Sequence, residues 1–390
     1  MDKSRQNCLI IAGEKSGEDH CLSFFDELRH RLPNTHFWGV GGDSLEKKGM
    51  ELVFHLKDFS SFGFSEVFFK IPFYIKAYLK ILKEVEKRNC KVAILIDFQT
   101  FNLKLAKRFK KKGITVLYYV APQAWAWKAW RAEILEKTVH TLFTIIPFEK
   151  NWFMKRGVRR VQGVPHPLWI TYKEQIENKK LDISAKPFSK VEKCIQLLLL
   201  PGSRNFEVKL QLPIFWEAVE KLRNYVDVKT SIVCCSNIKK ENYLPYIDKI
   251  DRIYDNTELP DALTEADFAL ATSGTITLAT ALFEVPTLVC YKGSMLNEVI
   301  FNIFVRYKGF ISLANIVHEK MVFPEFIQRN VNIENLNIAL LNWINNKDEY
   351  EKIKKSLSET KNMLKGETFK LPDYMSRVIS ESYYVNETNS

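Results

Sequence analysis

The chain has 390 residues and a formal net charge of +11, and 46% of its residues are hydrophobic and 13% aromatic. This length is enough for two domains with full cores, and the apolar content excludes a disordered protein. No window reaches the roughly 18 uninterrupted apolar residues of a membrane span, and the first apolar run is too short for a signal peptide, so a soluble or peripheral protein is expected.

The first half of the chain alternates strand-like and helical segments. Strands are predicted at 8–12, 36–40, 91–96, 114–120 and 139–145. Helices are predicted at 19–31, at about 66–87 with an interruption at Pro72, and after residue 97, and an aromatic loop covers 121–130. This rhythm predicts a parallel, doubly wound sheet with ligands at the carboxyl ends of its strands.

The second half repeats this organisation after a break. Residues 164–192 hold three prolines and many charges, which predicts an interdomain linker, and strands are predicted again near 195–200, 228–234, 251–254, 267–271 and 286–291. The expected domains are 1–170, a linker at 171–192, and 193–332. A helical tail, 333–390, is expected to cross back to the first domain or to swap with a partner chain in a homodimer. The predicted fold class is α/β, with two Rossmann-like domains facing across a cleft.

The seven cysteines are scattered, mostly in or beside apolar runs, and form no CxxC motif or Cys/His cluster. This pattern predicts reduced, buried thiols of a cytosolic protein and no metal site. The positive charge fits an anionic membrane surface, acidic substrates or nucleic acid, or only a lysine-rich surface.

Two turns of the second half have the pattern of anion-binding sites. Leu197–Leu200 predicts a buried strand, and Pro201-Gly-Ser-Arg204 then leads into a helix; the second turn, Thr272-Ser-Gly-Thr275, follows another strand. Free backbone N–H groups and the helix dipole favour phosphate at such turns, and Arg204 adds a forked cation. Two such turns indicate a nucleotide-diphosphate ligand.

The usual nucleotide signatures are absent from the sequence. Residues 39–44 lack the last glycine of GxGxxG, and the chain has no GxxxxGK[ST] P-loop and no Asp-x-Asp pair that would chelate a metal–diphosphate. The phosphates are therefore expected to be held by backbone dipoles and cations.

Several short segments resemble the motifs of one family, in that family's order. They are AGEKSG at 12–17, GVGG at 39–42, GFSEV at 63–67, DFQTFN at 97–102, YVAPQAWAWK at 119–128, PFE at 147–149, HPL at 166–168, LPGSR at 200–204 with Glu207, SGT at 273–275 and SLAN at 312–315. By these the chain resembles the lipid-A-disaccharide synthases, glycosyltransferases of the two-Rossmann GT-B type.

The resemblance implies a reaction and a location. A UDP-2,3-diacylglucosamine donor passes its sugar to the 6-hydroxyl of 2,3-diacylglucosamine 1-phosphate, which releases UDP and forms a β-1,6 disaccharide. The implied mechanism is inverting, without a metal or another cofactor. The implied enzyme is peripheral on the inner face of the cytoplasmic membrane, because both substrates are lipids.

Asp97 matches the residue proposed as the catalytic base of the family. It ends a predicted strand, and an inverting transfer needs a base for the acceptor hydroxyl. The alternative is an aspartate that caps the next helix. The family usually has Pro and a second Asp where this chain has Gln99 and Thr100.

The resemblance assigns further residues to the donor and to the acceptor side. Donor residues are Gly202, Ser203, Arg204, Glu207, Ser273, Gly274, Thr275 and Asn315. Cleft residues are Glu14, Ser16, Gly17, Asn102, Gln123, Trp127 and Lys128. The alternatives are purely structural turns, capping by Ser273 and tryptophans buried in the core, and Trp125 and Trp130 remain unassigned. Where the family typically has a glutamate for the ribose hydroxyls, this chain has Ala279.

An aromatic stretch interleaved with lysines predicts a membrane-facing patch. It comprises Phe64, Phe68, Phe69, Lys70, Ile71, Phe73 and Lys76. Apolar side chains rimmed by lysines suit an anionic bilayer surface, whereas the alternative is an internal helix of the first domain.

Two other classes of function stay open at the level of sequence. One is another UDP-sugar enzyme, such as a UDP-N-acetylglucosamine 2-epimerase, which needs neither an acceptor site nor a membrane patch. The other is a non-catalytic regulator that binds nucleotide sugars or membranes. Nucleic-acid binding is not favoured, because the basic residues form no single arm or recognised motif.

Overall fold

The computed structural model describes residues 6–59, 70–126, 128–178, 194–293 and 309–384. Its contacts divide the chain into two units. The first comprises Met1–Ile170 with Leu364–Ser390, and the second comprises Thr171–Met363.

The first unit is built on a seven-stranded sheet. Its strands are β1 (Gln6–Ala12), β2 (Thr35–Gly41), β3 (Glu51–His55), β4 (Val92–Ile96), β5 (Thr115–Tyr119), β6 (Thr141–Thr144) and β7 (Val161–Gly163). Their order is β3-β2-β1-β4-β5-β6-β7, and all neighbours are parallel, with Cys8 of β1 opposite Val92 of β4. All five side chains of β4 are buried, as expected for a central strand with helices on both faces.

Helices connect these strands and cover the sheet. They are α1 (Lys15–Arg31), α2 (Asp43–Lys47), α3 (Leu56–Phe59), α4 (Ile71–Lys87), α5 (Gln99–Lys111), α6 (Arg131–Thr138) and α7 (Glu149–Met154). The next helix, α8 (Pro167–Asn178), runs across the boundary between the units. The amphipathic patterns of α1, α4 and α5 place Leu28, Ile81 and Phe109 in the core.

The second unit repeats the parallel arrangement with six strands. They are β8 (Ile195–Leu200), β9 (Val228–Cys234), β10 (Arg252–Asp255), β11 (Phe268–Thr272), β12 (Thr287–Tyr291) and β13 (Glu325–Ile327), in the order β10-β9-β8-β11-β12-β13. The helices are α9 (Asn205–Leu222), α10 (Leu244–Ile247), α11 (Leu259–Glu265), α12 (Thr275–Leu282), α13 (Leu313–His318), α14 (Ile333–Asn345) and α15 (Lys347–Ser358), and α16 (Thr360–Lys365) begins in this unit and ends in the first.

The helical tail is divided between the units. Helices α14 and α15 pack in the second unit, whereas the last helix, α17 (Leu371–Tyr384), belongs to the first. There the backbone N–H groups of Asn7 and Lys91 both donate to the Tyr383 hydroxyl, at 3.0 and 3.1 Å. Arg31 pairs with Asp373 at 2.5 Å. The end of the chain therefore ties together the amino ends of β1 and β4.

Two element boundaries differ from the sequence prediction. The expected linker over 171–192 is wrong in its first part, because α8 continues to Asn178 and Tyr172 packs edge-on against Phe283 at 5.5 Å. The rest of that stretch lies outside the described residues. The helix expected at 66–87 is described only from Ile71, with Pro72 in its first turn, where proline is well tolerated. Within the described ranges, no helix combines the length and apolar character that a membrane crossing requires.

Candidate active site

Three loops of the first unit converge at the carboxyl edge of its sheet. They follow β1, β4 and β5 and carry Glu14, Asp97 and the aromatic segment from Val120 to Trp130. The first two loops touch directly, because a Cβ placed on Gly13 would lie 2.6 Å from the Phe98 ring. Glycine is thus required for this approach of the β1 loop to the residue after Asp97. Ligands of parallel α/β sheets bind at this edge.

The backbone around Asp97 has an unusual conformation. Asp97 and Phe98 both have φ of 45°, a left-handed value that non-glycine residues seldom adopt. The Asp97 N–H donates to the Tyr119 carbonyl at 3.0 Å, and the Asp97 carbonyl accepts from the Tyr118 hydroxyl and from Asn102 Nδ2 at 2.8 and 2.9 Å. Val120 and Lys128 on the neighbouring loop also have positive φ. Strain of this kind is typical of functional sites held in place by their surroundings.

The Asp97 side chain is not the cap of the following helix. The residue at the N-cap of α5 is Phe98, and no side chain caps that helix. Asp97 as a whole residue is partly exposed, so solvent reaches this position. The capping alternative therefore does not account for this aspartate.

The protonation of Asp97 is set by its surroundings. Burial of the carboxyl raises the pKa of Asp97 to about 7, the negative charge of Glu14 raises it further, and a hydrogen bond from the Phe98 N–H opposes them. A carboxyl whose pKa lies near neutral pH is matched to accepting a proton from a hydroxyl group.

A second buried carboxyl stands behind the aromatic loop, and the sequence assigned it no role. Trp125 Nε1 donates to Glu149 Oε1 at 2.9 Å, and Trp125 packs edge-on against Phe148 at 5.3 Å. Burial raises the pKa of Glu149 to about 8, so this group is mostly protonated at neutral pH. The hydrogen bond between Trp125 and Glu149 anchors the aromatic loop, so Trp125 has a structural role. Trp130 is exposed.

Arg131, at the start of α6, is a further site residue that the sequence did not single out. Its side chain is buried and its guanidinium donates to Gln99 Oε1. Gln99 is one of the two positions of the DFQTFN segment at which the chain is expected to differ from the family that it resembles. The sequence could have indicated this residue, because Arg131 directly follows the aromatic loop at the predicted ligand edge of the sheet.

Two of the predicted cleft residues, Asn102 and Gly17, have other positions than expected. Asn102 is fully buried and its amide holds the backbone of Ile96 and Asp97, so it supports the site from behind. Gly17 is buried in α1, and a Cβ placed on it would make an ordinary contact with Ala12 at 3.6 Å. Trp127 lies outside the described residues. Glu14 and Lys128 are exposed at the edge, and Ser16 and Gln123 are partly exposed beside them.

Part of the predicted membrane patch can be located. Phe64, Phe68 and Phe69 lie outside the described residues. Ile71 and Lys76 are exposed on α4, and Lys70 and Phe73 are partly buried. Phe73 packs against the buried Phe59 with ring centroids 5.1 Å apart, so part of its side chain belongs to the core of the first unit. A groove of about 980 Å³ opens between α4 and α5 and reaches Asp97 and Glu14.

In the second unit, the Pro-Gly-Ser-Arg turn differs from the prediction in its chemistry. The Glu207 carboxylate accepts the N–H groups of Ser203 and Arg204 at 3.0 and 3.1 Å, and Arg204 Nη1 donates to it at 2.7 Å. The N–H groups expected to hold a diphosphate are thus satisfied within the protein. Phosphate binding by Gly202, Ser203 and Glu207 stays a prediction; in this conformation a phosphate at the Ser203 and Arg204 N–H groups would face the Glu207 carboxylate. The Arg204 side chain is 62% exposed and keeps further donors free of this contact.

Glu207 is therefore expected to act as a helix cap. Glu207→Ala should lower the free energy of unfolding by about 1–2 kcal/mol, because two N–H groups lose their acceptor. Urea unfolding measures the effect, and Glu217→Ala, exposed on the same helix, is the control. A denaturation midpoint equal to that of the control would show that the carboxylate does not stabilise the turn.

The second turn remains open to an anion. The N-cap of α12 is Gly274, with φ of 147°, and no side chain caps the helix. In the described part of the chain, no acceptor is hydrogen-bonded to the N–H groups of Gly274 and Thr275, and a Cβ on Gly274 would meet nothing within 4 Å. Ser273 is held by its hydroxyl, which donates to the Ile311 carbonyl at 2.8 Å. This helix N-terminus has the open N–H groups that the first turn lacks.

Asn315 is held within its own loop. It is fully buried, its Nδ2 donates to the Phe323 carbonyl and to Glu325 Oε1, and its Oδ1 accepts the N–H groups of Val322 and Phe323. Its role as a donor ligand stays a prediction, and in this conformation the hydrogen-bonding groups of its side chain are all used within the local loop. Ala279 is 1% exposed, so its position offers no surface to a ribose.

Comparisons with known proteins agree with the fold and the motifs. A family profile described as lipid-A-disaccharide synthetase matches residues 8–379. Lipid-A-disaccharide synthases from Nitrosococcus oceani and Syntrophus aciditrophicus are 30% and 33% identical over 373 and 361 residues; the matches cover 93% and 91% of this chain and 94% and 93% of those proteins. The crystal structure of Acinetobacter baumannii MurG has a TM-score of 0.55 at 11% identity, and the match covers 97% of this chain and 99% of that one, which shows the likeness of fold alone.

Proposed function

Because the chain belongs to the lipid-A-disaccharide synthase family of GT-B glycosyltransferases, we propose that it transfers the sugar of UDP-2,3-diacylglucosamine to the 6-hydroxyl of 2,3-diacylglucosamine 1-phosphate. The products are the β-1,6-linked disaccharide 1-phosphate and UDP. The observation that carries the proposal is the position of Asp97, a partly exposed residue at the carboxyl edge of the first sheet, where burial and the Glu14 charge raise the pKa of its carboxyl to about 7.

Asp97 is the general base of the proposed reaction. Its carboxylate takes the proton of the acceptor hydroxyl while the hydroxyl oxygen attacks C1 of the donor sugar. The bond between C1 and the diphosphate oxygen breaks, its electron pair leaves with UDP, and the configuration at C1 inverts. Base catalysis of this kind contributes about 10²–10⁴-fold to the rate. Tyr118 and Asn102 hold the Asp97 backbone and so fix the direction of its carboxylate.

The donor diphosphate is assigned to the second turn of the other unit. The N–H groups of Gly274 and Thr275 and the dipole of α12 supply positive potential, and the Arg204 guanidinium supplies a full charge. These groups stabilise the negative charge that develops on departing UDP. The Pro-Gly-Ser-Arg turn then contributes through the Arg204 side chain rather than through its backbone.

The enzyme is proposed to work at the surface of the cytoplasmic membrane, since both substrates carry acyl chains. Exposed Ile71 and Lys76 on α4 support this placement. Flotation with vesicles tests it: the protein should float with anionic vesicles and much less with zwitterionic ones. Equal recovery in the dense fraction with both kinds of vesicle would contradict it.

The transfer itself is tested with the purified protein and its two substrates. Incubation with the UDP-diacyl sugar and the diacyl sugar 1-phosphate should yield UDP and the disaccharide, detected by mass spectrometry. Release of UDP without disaccharide, or conversion of the donor sugar into an epimer, would replace this proposal by hydrolysis or by epimerisation.

The pH dependence of the reaction should report the Asp97–Glu14 interaction. The base is active when it is deprotonated, so kcat/KM is expected to fall as the pH drops through about 7. Glu14→Gln removes the like charge and lowers the pKa of Asp97, so activity should persist to lower pH. Glu46→Gln, an exposed neutralisation on α2, is the control. Superimposable profiles for both variants would show that Glu14 does not act on the base.

A further inference from the structure

The groove between α4 and α5 has features that the proposed chemistry at Asp97 does not use. One wall is formed by Ile71, Tyr74, Ile75 and Tyr78 of α4, and Phe98 and Phe101 lie at the start of the other. Asp97 and Glu14 stand at one end. Its volume of about 980 Å³ lies at the upper end of the range for ligand pockets, about 300–1,000 Å³.

The α4 wall exposes aliphatic side chains over an aromatic floor. Ile71 is 45% and Ile75 is 55% exposed, so two large aliphatic side chains of the groove wall are in contact with solvent. Tyr74 and Tyr78 are partly buried, with ring centroids 6.2 Å from Phe98 and 6.4 Å from Phe101 respectively. Such a surface gains free energy when an apolar ligand covers it.

The α5 wall is basic along its length. Lys104, Lys107, Arg108 and Lys111 line the groove, and their spacing places them on one face of the helix. All four are exposed, and α5 contains no acidic residue. Lys112, just beyond the helix, pairs with Glu86, whereas no ion pair to a described residue is found for Lys104, Lys107 or Lys111. The groove therefore combines an apolar wall with a row of cations.

From this arrangement we infer that the groove binds the acceptor lipid, with an acyl chain along Ile71 and Ile75 and the phosphate on the basic face of α5 at Lys104. The identification of the ligand as the acceptor rests on the proposed function. Lys104 lies five residues after the first residue of α5, about 7.5 Å along the helix axis, so a phosphorylated sugar can reach it while its hydroxyl lies at Asp97. The chemistry recognised is an acyl chain joined to a phosphate monoester.

The binding test uses lysophosphatidic acid, which has one acyl chain and one phosphate monoester, at concentrations below micelle formation. Ile75→Trp should fill the groove, and Leu79→Trp is its control, because Leu79 is 58% exposed one turn further along α4 and does not line the groove. Lys104→Gln removes the nearest cation, and Lys110→Gln is its control on the outer face of α5. All four positions are exposed, so the variants are expected to fold.

Calorimetry should show that Ile75→Trp and Lys104→Gln each weaken binding by about tenfold or more, with both controls near wild type. The affinity for lysophosphatidylcholine, whose phosphate is esterified with choline, should fall much less in Lys104→Gln. In the transfer assay Ile75→Trp should raise KM for the acceptor and leave UDP affinity unchanged.

Two results separate the inference from the proposed function. Disaccharide formation with the same acceptor KM in Ile75→Trp and Leu79→Trp would overturn the inference and leave the function standing. Probe binding that depends on Ile75 and Lys104 in a protein that forms no disaccharide would reject the function while supporting an acyl-phosphate site in this groove.

Discussion

Asp97→Asn is expected to lower kcat by about 10³-fold, because the amide cannot take the proton of the acceptor hydroxyl. The substitution keeps the shape of the side chain, and the contacts of Tyr118 and Asn102 are made to the Asp97 backbone, so the turn should persist. Steady-state kinetics with both substrates measures the effect.

The control is Asp26→Asn, an exposed carboxylate of α1 outside the site. UDP affinity, measured by calorimetry, should stay near wild type in both variants, because the turns proposed to hold the donor belong to the other unit. Turnover of Asp97→Asn close to that of the control would remove Asp97 as the base.

Gly274→Ala is expected to weaken UDP binding by about 10–100-fold. The backbone of Gly274, with φ of 147°, lies in a region that other residues occupy at a cost of about 1–3 kcal/mol. Relief of that strain rotates the N–H groups that the proposal assigns to the diphosphate, and each hydrogen bond to a charged group is worth about 1.5–3 kcal/mol.

Gly157→Ala is the matched control, because Gly157 has φ of 82°, open space around it and a position in the first unit. It should show a comparable loss of stability with unchanged UDP affinity. If Gly274→Ala leaves UDP affinity unchanged and Arg204→Ala lowers it strongly, the diphosphate binds at the Pro-Gly-Ser-Arg turn instead.

The alternation of apolar runs and amphipathic helices was enough to predict the two sheets. Strands such as Val92–Ile96 and Ile195–Leu200 are continuous apolar runs that only the interior of a parallel sheet can accommodate. The linker was less predictable. Prolines and charges broke the periodicity near 164–192, yet packing of Tyr172 on Phe283 holds the first part of that stretch as a helix. Contacts distant in sequence override local propensity at such boundaries.

The candidate site divides in the same way. Asp97 and Gly274 could be singled out because each follows a buried strand at the edge where ligands bind. The role of Glu207 could not be predicted from the sequence, because its carboxylate accepts the same N–H groups that the turn would offer to a phosphate. Glu149 was passed over because its protonation depends on burial behind Trp125, a residue 24 positions earlier.

The sequence by itself determined the α/β class, the family and the position of the aspartate proposed as the base, because each depends on residue types at fixed short spacings. The tertiary structure decided which polar groups are still available to a ligand. The side chains of Glu207 and Asn315 accept hydrogen bonds from neighbouring backbone N–H groups. The N-terminus of α12 at Gly274 has no side-chain cap, and the basic side chains of α5 line an open groove. That difference follows from which side chains folding brings within hydrogen-bonding distance, and only the folded chain sets those distances.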